Sequence, residues 1–244
     1  MIGLWGWRTA AVISGCVLLA IGLPLACVIR KIYTQEEAGI VSLESSDANS
    51  KDSPHSSTDP QFTLKQALHH RSFWLLSVAM GMRHLVTEGV SVHFVILLVD
   101  RGWSTEAAST LLGISALIGA PARIGMGWLG DLLDKRRLVI GLLLALSVSV
   151  LLMGYTAHAI VFTTCMIIYS LAYGGLAALQ EPIRADYFGT RAFATIQGMS
   201  RSVVTAGTFL GPIIAGFFYD VTKSYTIAFG VFALVSLVAT LFMF

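Results

Sequence analysis

Long apolar runs separated by short polar segments dominate the sequence. Seven of these runs reach the roughly 20 residues that a helix needs to cross a hydrocarbon core of about 30 Å. Their apolar residues are continuous rather than alternating, which favours helices over the strands of a membrane barrel. The pattern therefore predicts an all-α membrane protein with seven transmembrane helices, at residues 9–29, 73–99, 105–129, 138–157, 160–183, 194–218 and 225–244.

One polar segment, residues 30–72, is much longer than the other connections. Its middle reads SLESSDANSKDSPHSSTDP, which has too few apolar residues to offset the entropy cost of ordering it. Thr63 and Gln66 have the spacing of a capping box, so we expect a short interfacial helix over 63–71, with a structureless continuation as the alternative. The predicted parts are a first span (1–30), a largely disordered loop (31–72) and a six-helix half (73–244).

Lysine and arginine predict the orientation, because cytoplasmic loops carry an excess of both. Ten of these residues fall on the side of the long loop and three on the other side. This places the loop and the C-terminus in the cytoplasm and the N-terminus outside, and we expect the membrane to be the plasma (cell inner) membrane. A cleaved signal over the first span is the alternative, but it would put residues 30–72 outside, against the charge distribution.

The composition agrees with a membrane protein and excludes other classes. Hydrophobic residues make up 55% of the 244 residues and charged residues 12%, and the mean hydropathy is +0.75. An average soluble domain has about 25% charged residues. The net charge is only +2 and the basic residues are scattered, so we expect no nucleic-acid partner.

A motif between the third and fourth spans resembles a family signature. Residues 127–137 read GWLGDLLDKRR, with a glycine and an aspartate four residues later that precede a basic cluster at a tight turn. This resembles the cytoplasmic signature of the major facilitator superfamily of secondary transporters. The matching residues are Gly127, Asp131, Lys135, Arg136 and Arg137.

Two residues depart from that signature, and the rest suits a turn between helix ends. Leu132 and Asp134 stand where the family usually has a basic residue and a glycine. Small residues let two helix ends approach each other. Asp131 is placed to cap a neighbouring helix or to pair with an arginine.

Further segments resemble the same family, in the same order along the chain. GWRTA at 6–10 looks like the start of its sixth helix, and RADYFGTRAFATIQG at 184–198 looks like the loop between its tenth and eleventh helices. HFVILLVDRGWS at 93–104 is similar to the branch that handles monocarboxylates, oxalate and formate. GTFLGPIIAG resembles the family's glycine-rich helix, with helix-packing positions at Gly207, Gly211, Pro212 and Gly216.

The resemblance implies that the seven spans correspond to helices six to twelve of a twelve-helix transporter. Members consist of two six-helix halves, with substrate bound between them at the membrane midplane. We therefore expect a separate N-terminal half as a partner, whether the chain is a truncated reading frame or half of a split transporter. The other expected partners are membrane lipid and a small solute, and the resemblance implies an organic anion moved by proton coupling or exchange.

Ionisable residues at membrane depth are costly and are therefore candidates for function. At about 100° per residue, six polar residues of the second span fall within an arc of about 140°. They are Ser77, Arg83, His84, Thr87, Glu88 and Ser91. This stripe predicts a helix that lines a watery cavity, and without an opposing half it would face lipid. The alternative is a set of internal ion pairs that hold helices together.

Within this stripe, Arg83 can bind a substrate carboxylate with two parallel hydrogen bonds. His84 and Glu88 are i,i+4 neighbours that can exchange a proton. In the fifth span, Tyr169 and Tyr173 either face substrate or pack in the core.

Four more polar residues have weaker claims to the substrate. We expect Gln180 and Glu181 to shape an intracellular gate and His93 to be structural. Arg123 can snorkel to the interface.

Two other classes of function fit less well. A seven-helix receptor or sensor agrees with the number of spans, but a retinal protein needs a lysine in its last helix and residues 224–244 contain none. A membrane enzyme needs a polar cluster shared between helices, and only the second span offers one. The water-facing segments carry no nucleophile, phosphate or zinc motif, and His69-His70 lacks a partner at ligand spacing, so we expect no cofactor and no metal.

Overall fold

In the computed structural model the described residues are helical apart from caps and turns. They are residues 62–156, 158–189 and 192–243, together with scattered helical positions between 9 and 24. The predicted first span and the polar loop lie largely outside this described part. The chain divides into two compact units, Met1–Ser57 and Thr58–Phe244, and the second carries every contact discussed below.

The second unit contains seven helices in its described residues. Five of them, α2 to α6, are long and apolar enough to cross a membrane, whereas the apolar α7 has 16 residues and is shorter than predicted. Six of the seven predicted spans therefore recur as helices α2 to α7, and the first span lies largely outside the described residues. The helices are α1 Leu64–His69, α2 Arg71–Asp100, α3 Thr105–Leu132, α4 Lys135–Tyr155, α5 Ala159–Phe188, α6 Phe193–Thr222 and α7 Thr226–Leu241.

Polar side chains fix where two of the helices begin. The predicted capping box of α1 is confirmed, because the Thr63 amide donates to Gln66 Oε1 at 2.9 Å and the Gln66 amide donates to Thr63 Oγ1. At α4, Asp134 Oδ1 accepts from the amides of Arg136 and Arg137 at 2.8 and 3.2 Å. These bonds satisfy amides that have no partner inside the first turn of a helix.

The helices pack in a pattern that leaves two of them open. α2 packs on α6 and α7, α3 packs on α5, and α4 packs on α5 and α7. Only 17% and 22% of the residues in the most apolar stretches of α3 and α6 are buried, against 44% to 50% in those of α2, α4 and α5. α3 and α6 therefore present the broadest uncovered faces of this unit.

Successive helices run in opposite directions, so the short loops fall alternately on two sides. On one side the Phe62 amide donates to the carbonyl of Phe188 at 3.1 Å, and Arg136 Nε donates to the carbonyl of Met243 at 2.6 Å. On the other side Arg101 donates to carbonyls at the end of α4 with bonds of 2.6 to 2.9 Å. These carbonyls belong to Met153, Gly154 and Thr156.

Two of the predicted packing glycines bring α2 and α6 into backbone contact. A Cβ at Gly207 would overlap the carbonyl oxygen of Gly81, and one at Gly211 would overlap that of Leu85. A Cβ at Gly216 would meet only His93 Cε1, at an ordinary 3.9 Å, so the prediction of close packing there is wrong.

Pro212 contributes a carbonyl rather than a small side chain. His93 Nε2 lies 3.1 Å from this carbonyl and Nδ1 lies 3.0 Å from the Tyr225 hydroxyl. Because a carbonyl can only accept, Nε2 carries the hydrogen and Nδ1 accepts from tyrosine. His93 thus joins α2 to α6 and to the start of α7, which agrees with the structural role that the sequence predicts for it.

Candidate functional site

Arg83 lies near the middle of α2 and is only 2% exposed. Its Nη1 donates to Gln180 Oε1 at 3.0 Å and its Nη2 donates to the Tyr173 carbonyl at 3.2 Å, both on α5. The guanidinium carbon also lies 5.6 Å from the centre of the Tyr173 ring, which is within cation–π distance. These contacts hold a positive charge in one place at the centre of the bundle.

Half of the polar stripe of α2 is buried in protein and the other half is half-buried, so the prediction that the whole stripe would face lipid is wrong. Ser77, Arg83 and Thr87 are buried, and Ser77 Oγ donates to Ser200 Oγ of α6 at 2.8 Å. Polar groups at membrane depth need hydrogen-bond partners, and α5 and α6 supply them within this unit. Glu88 is half-buried, and within the described residues no cation lies within ion-pair distance of it.

His84 contacts Arg83 rather than Glu88. Its Nδ1 lies 2.9 Å from the Met80 carbonyl, which requires the hydrogen on Nδ1 and leaves Nε2 as an acceptor. Nε2 lies 3.3 Å from Arg83 Nη1. Among the described residues no hydrogen bond joins His84 to Glu88, so the structure does not bring this predicted pair together.

Tyr169 and Tyr173 stack on each other beside a small cavity. Their ring centres are 6.3 Å apart, and the buried Tyr169 hydroxyl donates to the Thr87 carbonyl at 3.2 Å. The cavity has a volume of about 170 Å³ and lies between α2, α3 and α5. Its polar lining comes from both tyrosines, Ser91 and Ser115. The tyrosines thus combine core packing with a place on a cavity wall.

Arg123 of α3 approaches the same aromatic ring. Its guanidinium carbon lies 5.8 Å from the centre of the Tyr173 ring. The residue is exposed, and no hydrogen-bond acceptor contacts it in the described part of the chain. Two guanidinium groups therefore meet at Tyr173, and the Arg83 group is fixed while the Arg123 group keeps its donors available. Sequence reasoning gave Arg123 little weight because periodicity does not reveal this contact between helices.

A chain of polar contacts continues from Arg83 along α5. Gln180 Nε2 donates to Glu181 Oε1 at 3.2 Å, and Arg184 Nη1 donates to Glu181 Oε2 at 2.9 Å. Arg201 Nη1 of α6 lies 3.9 Å from Glu181 Oε1. The expected role of Gln180 and Glu181 in a gate stays a prediction, and the bond between Gln180 and Arg83 is a contact that the sequence did not indicate.

At the turn between α3 and α4, helix capping and close helix packing involve Asp134 and Gly130 rather than Asp131 and Gly127. Asp131 is exposed and has no ion pair or hydrogen bond with any described residue, while Asp134 caps α4. A Cβ at Gly127 would meet nothing within 4 Å, whereas one at Gly130 would lie 2.5 Å from Leu179 Cδ2. Gly130, three residues further along the helix, is therefore the glycine that lies against α5.

Two of the three basic residues of this turn, Lys135 and Arg136, are bonded to other elements, and Arg137 is open. Lys135 Nζ pairs with Asp186 Oδ2 at 2.8 Å, which ties the start of α4 to the end of α5. Arg136 bonds to the carbonyl of Met243, as described above. Arg137 has an 89% exposed side chain and lies 3.9 Å from Asp134, an arrangement of little energetic weight.

The family model of the Major Facilitator Superfamily matches residues 1–180 and 96–244 of this chain. The chain belongs to the major facilitator superfamily. The α2–α7 bundle is accordingly a set of helices from a multi-pass integral membrane transporter.

Curated members of the superfamily resemble the chain over much of its length. It is 26% identical to monocarboxylate transporter 13 of Rattus norvegicus and 27% identical to that of Bos taurus, over 70% of this chain and 40% of each relative. It is 24% identical to the uncharacterized MFS-type transporter YcxA of Bacillus subtilis (strain 168), over 90% of this chain and 52% of that protein. The chain thus spans about 40% of the length of the two monocarboxylate transporters and about half of YcxA.

A solved structure shares the fold. The crystal structure of the POT family transporter PepTSo superimposes with a TM-score of 0.62 at 19% identity, covering 71% of this chain and 36% of that one. At this identity the likeness concerns the arrangement of helices alone.

Proposed function

We propose that this chain forms the C-terminal part of a secondary transporter that moves a small organic anion, such as a monocarboxylate, by alternating access. The observation that carries the proposal is the set of partners of Arg83. Its guanidinium bonds to an amide oxygen, a backbone carbonyl and an imidazole, all of them neutral. A buried charge is costly unless it is compensated, and a bound carboxylate would supply the missing negative charge.

The surroundings of Arg83 support an anionic solute. Arg123 shares the Tyr173 ring and lacks a protein acceptor among the described residues, so it can donate to the same carboxylate. The neighbouring cavity of about 170 Å³ suits a solute of few atoms rather than a large one. The names of the mammalian relatives, which are monocarboxylate transporters, agree with this class of substrate.

Coupling and orientation belong to the same proposal. Glu88 and His84 are the candidates for proton coupling, because they are the titratable neighbours of Arg83 on α2 and are half-buried. The basic residues of α1 and of the turn between α3 and α4 favour the cytoplasm for that side. The C-terminus then lies in the cytoplasm of a plasma (cell inner) membrane, and the N-terminus lies outside.

The experiment is uptake of labelled small carboxylates by liposomes that contain the chain together with an N-terminal half. Replacing Arg83 by Ala should abolish uptake, and Arg83→Lys should reduce it at least about tenfold, because lysine cannot reproduce the forked contact. Arg137→Lys, at an open position, is the matched control and should transport normally. Membrane insertion should be unchanged in all three variants. Normal transport by either Arg83 variant would remove Arg83 from the substrate site.

A further inference from the structure

The side-chain amide of Gln180 lies between a cation and an anion, which fixes its orientation. Its Oε1 accepts from Arg83 and its Nε2 donates to Glu181. Turning the amide over would place its NH₂ group against the guanidinium and its oxygen against the carboxylate, and both contacts would be repulsive. Because Gln180 is only 4% exposed, water cannot readily replace either bond. The position of Arg83 is therefore tied to the presence of the Glu181 carboxylate.

Glu181 is in turn tied to two arginines near the far end of α5. Arg184 is 1% exposed, and its Nε and Nη2 have no partner among the described residues, so its ion pair with Glu181 compensates its charge. Arg201 belongs to α6 and has a 59% exposed side chain. Its contact with Glu181 is therefore the one that most easily opens when α5 and α6 move apart.

We propose that Gln180 and Glu181 are positioning residues that couple the guanidinium of Arg83 to the cytoplasmic ends of α5 and α6. This inference rests on the proposed function, in which Arg83 binds the solute. A carboxylate can bind Arg83 at Nε, which has no hydrogen-bond partner among the described residues, while Nη1 stays on Gln180 Oε1. Gln180 then holds the guanidinium in the position that the solute needs, and movement of the Glu181 carboxylate toward Arg201 weakens that hold. By linkage, the factor by which pairing of Glu181 with Arg201 changes the affinity of Arg83 for the solute is also the factor by which bound solute changes that pairing.

The first test measures thermal unfolding of the purified 244-residue chain in detergent. Arg83 and Glu181 share no direct hydrogen bond or ion pair, so any energetic coupling between them through contacts runs through Gln180. The Tm shifts of Arg83→Lys and Glu181→Gln should be non-additive in the native background and additive when Gln180 is replaced by Leu. Glu181→Gln keeps an acceptor for Arg184, which protects the fold. If that variant does not fold, Arg201→Gln, at an exposed position, takes its place in the cycle.

Gln197 of α6 provides the control, since it is a half-buried glutamine that makes no hydrogen bond to a described residue. In a Gln197→Leu background the non-additivity should persist. Additive Tm shifts in the native background would overturn the inference. Non-additivity that is equally strong with Gln180→Leu would also overturn it, because Arg83 and Glu181 would then interact by direct long-range electrostatics.

The second test separates positioning from gating by uptake in the assembled transporter. Gln180→Leu should raise the half-saturation concentration about tenfold, the effect of one hydrogen bond to a charged group, and leave the maximal rate nearly unchanged. Arg201→Gln should lower the maximal rate, and by the linkage above it should also shift the half-saturation concentration. A loss of maximal rate alone in Gln180→Leu would contradict the positioning role. If the unmodified assembly shows no uptake, the proposed function fails, and the unfolding test still decides whether the link exists.

Discussion

At the scale of single residues, two arginines of one segment meet very different partners. Arg101, which follows α2, donates to three carbonyls at the end of α4, where the helix dipole concentrates negative charge. Arg83 bonds to neutral groups that belong to no helix end. The charge of Arg101 is therefore compensated by the fold itself, which gives it a role in stability, whereas Arg83 is the residue that we propose binds a ligand.

Arg101→Met should lower the free energy of unfolding by about 2 kcal/mol, because three charge-assisted bonds to carbonyls at the end of α4 are lost while the aliphatic stem is kept. Thermal or denaturant unfolding of the purified chain measures the change. Arg137→Met removes a charge of the same kind at an open position and should alter stability by less than about 0.5 kcal/mol. Equal effects in the two variants would show that Arg101 does not cap α4.

At the scale of helices, glycines decide which pairs touch. Gly207 and Gly211 let α6 approach the backbone carbonyls of Gly81 and Leu85 on α2. This close contact places part of the polar stripe of α2 in the protein interior. The α2–α6 interface therefore sets the position of Arg83 as well as the stability of the bundle.

Gly207→Ala and Gly211→Ala should each destabilise the chain by about 1–3 kcal/mol, because the added Cβ cannot fit without separating α2 from α6. Unfolding of the purified variants measures this. Gly198 lies on the same helix, and a Cβ added there would meet nothing within 4 Å, so Gly198→Ala serves as the control. It should be neutral or stabilising by up to about 1 kcal/mol. Destabilisation in the control alone would contradict the packing account.

The two aspartates of the turn between α3 and α4 should behave differently. Asp134→Ala removes the cap of α4 and should cost about 1 kcal/mol of stability, which unfolding experiments detect. Asp131→Asn should leave stability unchanged and lower the maximal transport rate, because the residue is far from Arg83 and lacks a partner among the described residues. A raised half-saturation concentration with an unchanged maximal rate in Asp131→Asn would be evidence against this.

The helices and their order could be predicted from sequence because each apolar run is long enough to specify its own element. The glycine motif correctly indicated Gly207 and Gly211, since close packing needs the same residue type wherever it occurs. The partner of Arg83 could not be predicted in this way, because Gln180 is 97 positions away and periodicity specifies a face, not a neighbour. The family signature indicated Gly127, and only the position of α5 shows that Gly130 is the glycine in close contact there.

At the scale of the whole molecule, this unit covers its own polar stripe and leaves α3 and α6 open. Burying the stripe removes one reason for this unit to be unstable alone, namely the exposure of Arg83 to lipid. It does not remove the mechanical requirement of alternating access, in which one half rocks against another around a shared site. We propose that a second half completes that site at the open faces and beside the exposed Arg123.

The purified 244-residue chain should therefore insert into liposomes and yet fail to catalyse uptake of small carboxylates. With one wall of the site absent, Arg83 and Arg123 can bind an anion, but no second body can close over it and release it on the other side. Co-reconstitution with an N-terminal half is the comparison, and uptake should appear only there. Uptake that is as fast with the monomeric chain alone as with both halves would contradict the half-transporter account, and it would require that the described helices form a complete pathway by themselves.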